Sequence, residues 1–250
     1  MITYRSLKLG KSHLYKYIYF GKADKKEELE EIYKLRYEVY TEKGYIKKES
    51  YTNLSERDDY DLENKCHYFI AKIDDRIIGC IRLIVDNPLP TQKYFHFNEP
   101  EKIRLIPINN RCELGRFIIV PLDKEKGKYL PRNIIMLFLI DTLSSFGLKN
   151  NLLGGYSFIK KSLELKLKKL RMPIKVIDKY TQIYPKDGVL YNYFNQISDP
   201  VIPVYFITKD FYSYSEKNIH NSFMFGTQDE GSLFMKENLY TGFLKKLKII

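Results

Sequence analysis

"HYFIAKIDDRIIGCIRLIVD", His67 to Asp86, holds two apolar runs on either side of the acidic pair Asp74–Asp75. β-Branched and aromatic runs around a two-residue polar turn predict a β-hairpin. The hairpin commits this part of the chain to an antiparallel sheet, and its neighbours must fit onto that sheet. Downstream, Pro88 and Pro90 open a long loop to about Asn110, after which "CELGRFIIVPL" predicts a third strand. Gly115 lies inside that strand, the mark of a bulge or of a close approach to a ligand. Upstream, "HLYKYIYFG" (His13 to Gly21) predicts another strand. In "DKKEELEEIYKLRYEVYTEKG", Leu29, Ile32, Tyr33, Arg36, Tyr37 and Tyr40 recur at spacings of three and four. That is an amphipathic helix with Asp24 as its cap, Gly44 as its end, and one arginine on or beside the buried stripe. A polar loop follows to about Lys65.

Beyond the third strand come a mostly apolar helix, Arg132 to Phe146, stopped by Gly147, and a strand, "NLLGGYSF". A basic helix "IKKSLELKLKKL" and strands "MPIKVIDKY" and "VIPVYFI" follow, with a basic helix ending "FLKKLKII" at the C-terminus. Hairpins alternating with helical crossovers predict an α/β (α+β) chain with a mixed, mostly antiparallel sheet and helices on both faces.

At 250 residues and 44% hydrophobic content the chain can bury a sizeable core. The first twenty residues lack an apolar targeting core, and the longest apolar run, Ile134 to Ile140, is too short to span a bilayer. The expectation is a soluble, cytoplasmic protein. Cys66, Cys80 and Cys112 are scattered without a CxxC spacing, so neither a disulfide frame nor a metal site is expected. A net charge of +11 suits a polyanionic partner: nucleic acid, the surface of an anionic membrane, or an acidic protein. No nucleic-acid motif favours the first. No GxGxxG, Walker A or GxSxG motif points to a nucleotide cofactor or a serine nucleophile.

Against this basic background, "SERDDYD" gathers Glu56, Asp58, Asp59 and Asp61 within seven residues. Alone it reads first as a solvated loop, with a prepared charge network as the alternative. In order along the chain stand "LRYEVY", "ERDDYD", "GCIRLIV" and "ELGRFII". Together they resemble the autoinducer synthases, which make acyl-homoserine lactones. The match falls on Arg36; on Glu56, Asp58 and Asp61; on Gly79, Arg82 and Leu83; and on Glu113, Arg116 and Phe117. The phrasing is closer still to the N-acyl amino acid synthases and to the acyltransferases associated with exosortase systems, His67 included. The autoinducer synthases usually carry a tryptophan after the first helix. This chain has none, which favours another amine acceptor.

The resemblance spans roughly residues 30 to 180. It implies a GNAT-like three-layer acyltransferase domain over residues 1–210, with 211–250 as a C-terminal extension. It implies acyl transfer from a thioester to an amine, with no tightly bound cofactor. The donor would be acyl carrier protein or coenzyme A, and the acceptor an amino acid or similar amine. Glu113 would be the general base, directly or through a water. Backbone N–H groups just past Gly115 would meet the oxyanion. Arg36, Arg82 and Arg116 would offer forks to an acceptor carboxylate, balanced by Glu56, Asp58 and Asp61. Arg82 fits a structural ion pair as well as a ligand contact. Phe117 and the apolar helix, at Leu137, Phe138 and Phe146, would line the acyl cleft. Lys160, Lys161, Lys168, Lys169 and Arg171 would form a basic docking face for a carrier protein. The loop "PLDKEKGKYLP" holds only Gly127, sparse for cradling a pyrophosphate, which leans the donor toward a carrier protein. A lactone synthase using S-adenosylmethionine and a non-catalytic basic binding module are the other readings. The second predicts salt-sensitive binding to nucleic acid or membrane.

Overall fold

The structure, a computed structural model, describes residues 1–9, 16–51, 53–63, 65–120, 132–229 and 231–235. The loop carrying Gly127, the start of the strand expected from His13 and the C-terminal basic helix lie outside these residues. The strands are β1 (Ile2–Leu9), β2 (Lys16–Lys22), β3 (Cys66–Ile73), β4 (Arg76–Ile84), β5 (Phe95–Phe97) and β6 (Arg111–Ile119), then β7 (Gly154–Lys160), β8 (Ile174–Val176), β9 (Tyr180–Gln182), β10 (Val201–Ile207), β11 (Phe225–Asp229) and β12 (Ser232–Met235). The helices are α1 (Lys26–Glu42), α2 (Asp59–Leu62), α3 (Pro90–Tyr94), α4 (Glu101–Arg104), α5 (Arg132–Lys149), α6 (Lys161–Lys169), α7 (Tyr191–Phe194) and α8 (Thr208–Ser215).

Ten of these strands form one sheet in the order β11-β12-β1-β2-β3-β4-β6-β7-β10-β8. Most neighbours run antiparallel; β1 with β12 and β6 with β7 run parallel. The mixed, mostly antiparallel sheet expected from the sequence is the one found. The His67–Asp86 segment is its central hairpin, with Asp74 and Asp75 at φ 49° and 60°. Two positive-φ residues give the turn whose twist matches that of the paired strands.

Helix α1 covers one face. Its buried residues include Ile32, Tyr33, Arg36, Tyr37 and Tyr40, the stripe read from the 3.6 period. It starts one residue later than expected, because Glu28 reaches back to the Asp24 and Lys25 N–H groups and the cap falls on Lys25. Gly44, at φ +66°, takes the left-handed conformation just past the helix end. Helix α5 covers the other face. Phe138 and Leu139 are fully buried there, and Phe138 stacks on Phe20 at 4.9 Å. Burying a side chain of this size contributes about 1.5–3 kcal/mol.

The described residues past 210 continue the same sheet and its helical cover. β12 pairs with β1, and β11 with β12. Asp141, wholly buried on α5, accepts hydrogen bonds from Arg5 Nε of β1 (2.9 Å) and Ser215 Oγ of α8 (2.9 Å). His220 Nε2 lies 3.5 Å from the same carboxylate. Burial opposes ionisation of Asp141, but His220, Arg5 and Ser215 outweigh it and hold its pKa down.

Two features of the sheet make room for a site. β6 and β7 stay in register only over Arg111–Glu113 and Gly154–Tyr156. At that junction the backbones are tight, since a Cβ on Gly155 would overlap the Cys112 carbonyl and one on Gly154 would stand 2.6 Å from the Phe206 carbonyl oxygen. Further along, β6 bulges against β4: Cys80 faces Ile118 and Arg82 faces Gly115, so Ile81 has two residues, Arg116 and Phe117, opposite it. The extra residue leaves the ladder locally unpaired.

Candidate active site

The bulge puts Arg116 at φ 53°, a conformation that costs a non-glycine residue of order 1–3 kcal/mol and needs support from its surroundings. The acids of the Ser55–Asp61 segment supply that support. Arg116 Nη2 donates to Asp58 Oδ2 at 2.9 Å and to Glu56 Oε1 at 3.1 Å. Arg82, pointing from β4 on the same face, grips Asp58 with two bonds of 2.6 and 2.8 Å and reaches Asp61 at 3.1 Å. Arg36 of α1 donates through Nε to Glu56 at 2.5 Å, through Nη1 to Asp61 at 2.8 Å, and also to the Tyr68 hydroxyl. The Tyr68 hydroxyl in turn donates to Asp61 Oδ1 at 2.7 Å. Three guanidiniums and three carboxylates thus close into one network of zero net charge. Burial by itself would raise Asp58 and Asp61. The neighbouring arginines, Arg116 and Arg82 for Asp58 and Arg36 and Arg82 for Asp61, outweigh it and hold both below the usual carboxylate range.

The network corrects one sequence expectation in part. Arg36 has 0% exposure, so it is not an available fork for a ligand; it anchors Glu56 and Asp61 from inside. Glu56 and Asp61 are likewise enclosed, whereas the Asp58 side chain keeps 23% of its surface exposed. Arg82 and Arg116 line the neighbouring cavity, and each retains a buried Nε without a hydrogen-bond partner.

That cavity, about 510 Å³, lies where β7 diverges from β6. Its walls differ by face. On the α1 side stand Tyr40, Tyr45, Arg82, Glu113, Arg116, Phe158, Lys160 and Tyr193. On the α5 side stand Phe117, Met136, Ile140, Leu163, Leu167, Met172, Phe206 and Phe211. Strand alternation produces the difference: on β7, Phe158 packs among the aromatic residues near α1, and Ile159 packs into the α5 core. A Cβ built on Gly115 meets nothing within 4 Å, so the glycine borders open space.

Glu113 is buried, borders the cavity, and accepts the Thr91 N–H at 2.7 Å through Oε2. Burial raises its pKa to about 8 against the pull of that bond and of Arg82. A carboxyl poised there can hold or release a proton near neutral pH.

The acyl-cleft residues named from α5 need correction. Phe138 is core, packed on Phe20 and Phe225. Phe146 stacks edge-on against His67 and Phe69, and Leu137 packs on the core without lining the cavity. The helix turns Met136 and Ile140 to the cavity instead. The basic face also divides. Lys168, Lys169 and Arg171 are exposed, and Lys161 pairs with Glu164 at 2.7 Å. Lys160 is no surface residue: it is 4% exposed at the end of β7 and lines the cavity. Lys160, Tyr40, Tyr45 and Tyr193 are cavity residues whose place the sequence did not reveal.

Residues 31–148 match the family model of the N-acyl amino acid synthase FeeM. Among solved structures, the fold is similar to the acyl-homoserine-lactone synthase LasI, at 17% identity and TM-score 0.53 over 76% of this chain and 89% of LasI. It is also similar to MesI, a CoA-dependent acyl-homoserine-lactone synthase, at 14% identity and TM-score 0.52 over 76% of this chain and 87% of that one. BjaI, another CoA-dependent synthase of the same kind, matches at 13% identity and TM-score 0.51 over 77% of this chain and 82% of its own. No curated protein sequence matches the chain. The chain is an acyltransferase. The acyltransferase has the GNAT-like layered fold, and among its described residues no helix is long and apolar enough to cross a membrane.

Proposed function

We propose that this acyltransferase moves a fatty acyl group from a thioester, on acyl carrier protein or coenzyme A, to the amine of an amino acid or related acceptor. The observation that carries the reading is Glu113: a buried carboxyl with its pKa near 8, on the cavity wall between the bulge and the splayed strands. In this mechanism the Glu113 carboxylate takes a proton from the acceptor's ammonium. The freed nitrogen attacks the thioester carbonyl, the C–N bond forms, and the C–S bond breaks as the thiolate leaves with a proton. N–H groups released from the ladder at Arg116 and Phe117 stabilise the oxyanion between those steps. Asp58, the exposed edge of the network, meets the acceptor's ammonium, while the arginines keep it ionised. The apolar wall takes the acyl chain. The family match of residues 31–148 supports an amino-acid acceptor, and the phrasing shared with exosortase-associated acyltransferases belongs to the same reading. Lys168, Lys169 and Arg171 would meet an acidic carrier protein.

Thiol release from a panel of acyl carrier protein and coenzyme A thioesters, in the presence of all amino acids and S-adenosylmethionine, tests this. A product mass of fatty acyl plus amino acid is expected. A lactone mass moves the acceptor to S-adenosylmethionine, and no thiol release from any donor sinks the proposal.

A further inference from the structure

An acceptor that carries a carboxylate needs a cation in the cavity, and the obvious arginines are poorly placed to provide one. Arg116 already faces Glu56 and Asp58, and Arg82 faces Asp58 and Asp61. A further carboxylate there would stand beside two others and be repelled by them. Lys43 and Lys166 also border the cavity, but both are exposed to solvent.

Lys160 differs from all of these. Its Nζ donates to two backbone carbonyls, Tyr193 O at 2.5 Å and Asp199 O at 2.9 Å. It lies over the Tyr193 ring at 4.6 Å and the Tyr45 ring at 5.5 Å. Every one of these partners is neutral. The nearest acid, Asp199, spends its carboxylate on the Ser162 N–H (2.8 Å) and hydroxyl (2.6 Å). No described carboxylate pairs with Lys160 at ion-pair distance. An ammonium has three donors and two are used. The remaining one belongs to a nearly buried cation on the cavity wall, on the same face of the sheet as Arg116 and Tyr40.

We infer that Lys160 is the residue that binds the acceptor's carboxylate, so that the enzyme selects amines bearing a free acid group over simple amines and amides. The inference rests on the acyl-transfer reading and adds to it the chemical class of acceptor. A consistent sign is that burial now pulls the lysine down to about 8, with Asp199 only partly offsetting it. A bound carboxylate would restore a higher value. The ionisable groups at the ammonium are Tyr45 of the loop after α1, Tyr193 of α7 and Asp199, and the same cavity wall carries Tyr40, Lys43, Arg82, Glu113, Arg116 and Lys166.

Two measurements test it. In the first, the full-length enzyme and its Lys160→Gln and Lys160→Arg variants are given an equimolar mixture of amino acids, or the matching carboxamides, with one acyl carrier protein thioester. The wild type should prefer acids. In Lys160→Gln, KM for the acids should rise about 10–100-fold and the preference should collapse toward one, with Lys160→Arg restoring part of it. An unchanged preference in Lys160→Gln, or a wild type that acylates carboxamides equally well, overturns the inference. In the second, the wild type carrying ¹³C-labelled lysine is titrated by NMR with and without the amino-acid mixture. An upward move of the Lys160 titration with acids but not carboxamides is expected; no move overturns the inference. This arm needs no turnover. If no donor is consumed, the acyl-transfer reading fails separately, while the carboxylate site stands or falls on the titration.

Discussion

Glu113→Gln separates burial from chemistry. Gln keeps the shape and can still accept the Thr91 N–H, but it cannot ionise. In the folded enzyme Glu113 titrates near pH 8, against about 4.5 when unfolded. The folded state therefore binds one more proton than the unfolded state between those values, and stability from this group falls as pH rises through the interval. The slope is about 1.4 kcal/mol per pH unit, so the loss by pH 8 amounts to several kcal/mol, on the order of 3–5. Glu113→Gln should thus match the wild type within about 1 kcal/mol at pH 5 and exceed it by several kcal/mol at pH 8.5. Urea titrations at pH 5, 7 and 8.5 give the difference directly. Taking the variant against the wild type at each pH cancels the contributions of His220, whose pKa is raised by its bond to Asp141, and His67, whose pKa is lowered by burial. Under the proposed mechanism the same substitution removes the base, and wild-type turnover should climb with pH toward about 8. Parallel stability curves for the two proteins would refute the reasoning, since they would mean that Glu113 is already ionised at neutral pH in the folded state.

Asp58→Asn should cost about 3–5 kcal/mol in denaturant, because it leaves Arg82 and Arg116 buried with less compensation. Wild-type stability from Asp58, whose pKa is depressed, should be complete at neutral pH and fade as the solution becomes more acidic than about pH 4, readable by acid titration of the circular dichroism signal. Gly115→Ala should leave the melting temperature nearly unchanged and reduce turnover by placing a methyl in the cavity, whereas Gly155→Ala should destabilise strongly because its Cβ meets the Cys112 carbonyl; paired thermal melts and thiol-release assays check both. Ile140→Phe should shift the preferred donor to shorter chains in a competition among thioesters. Phe138→Ala should instead cost about 3–5 kcal/mol of stability without that shift.

Much of the fold was readable because its signals are local. The hairpin turn lies within one short segment, and the stripe on α1 repeats within a single helix. The bulge was announced by Gly115 inside a strand. The parallel pairing of β1 with β12 joins Ser6 to Ser232, and no local pattern reports a partner so far along the chain. Helix α5 is apolar on nearly every side, so its sequence holds no stripe to say whether Met136 or Phe138 meets the cavity. Lys160 opens a run of lysines that looks uniform in sequence. Only its position at the end of β7, beneath the carbonyls of Tyr193 and Asp199, separates it from the solvated Lys168 and Lys169. For the acids, the missed hint was numerical: three carboxylates beside three arginines can satisfy one another and leave Arg36 no part on the surface.

That closed sum has a meaning beyond the site. Six charges that cancel produce almost no potential a few ångströms away, so the network is invisible to an approaching anion. The net charge of +11 is therefore felt through lysines and arginines in contact with solvent, where dissolved ions screen it within about 10 Å at 0.1 M. Glu56 and Asp61, enclosed by protein, are screened far less. Ionic strength consequently acts on how fast an anionic partner reaches this surface, and leaves the enclosed part of the network nearly as it was.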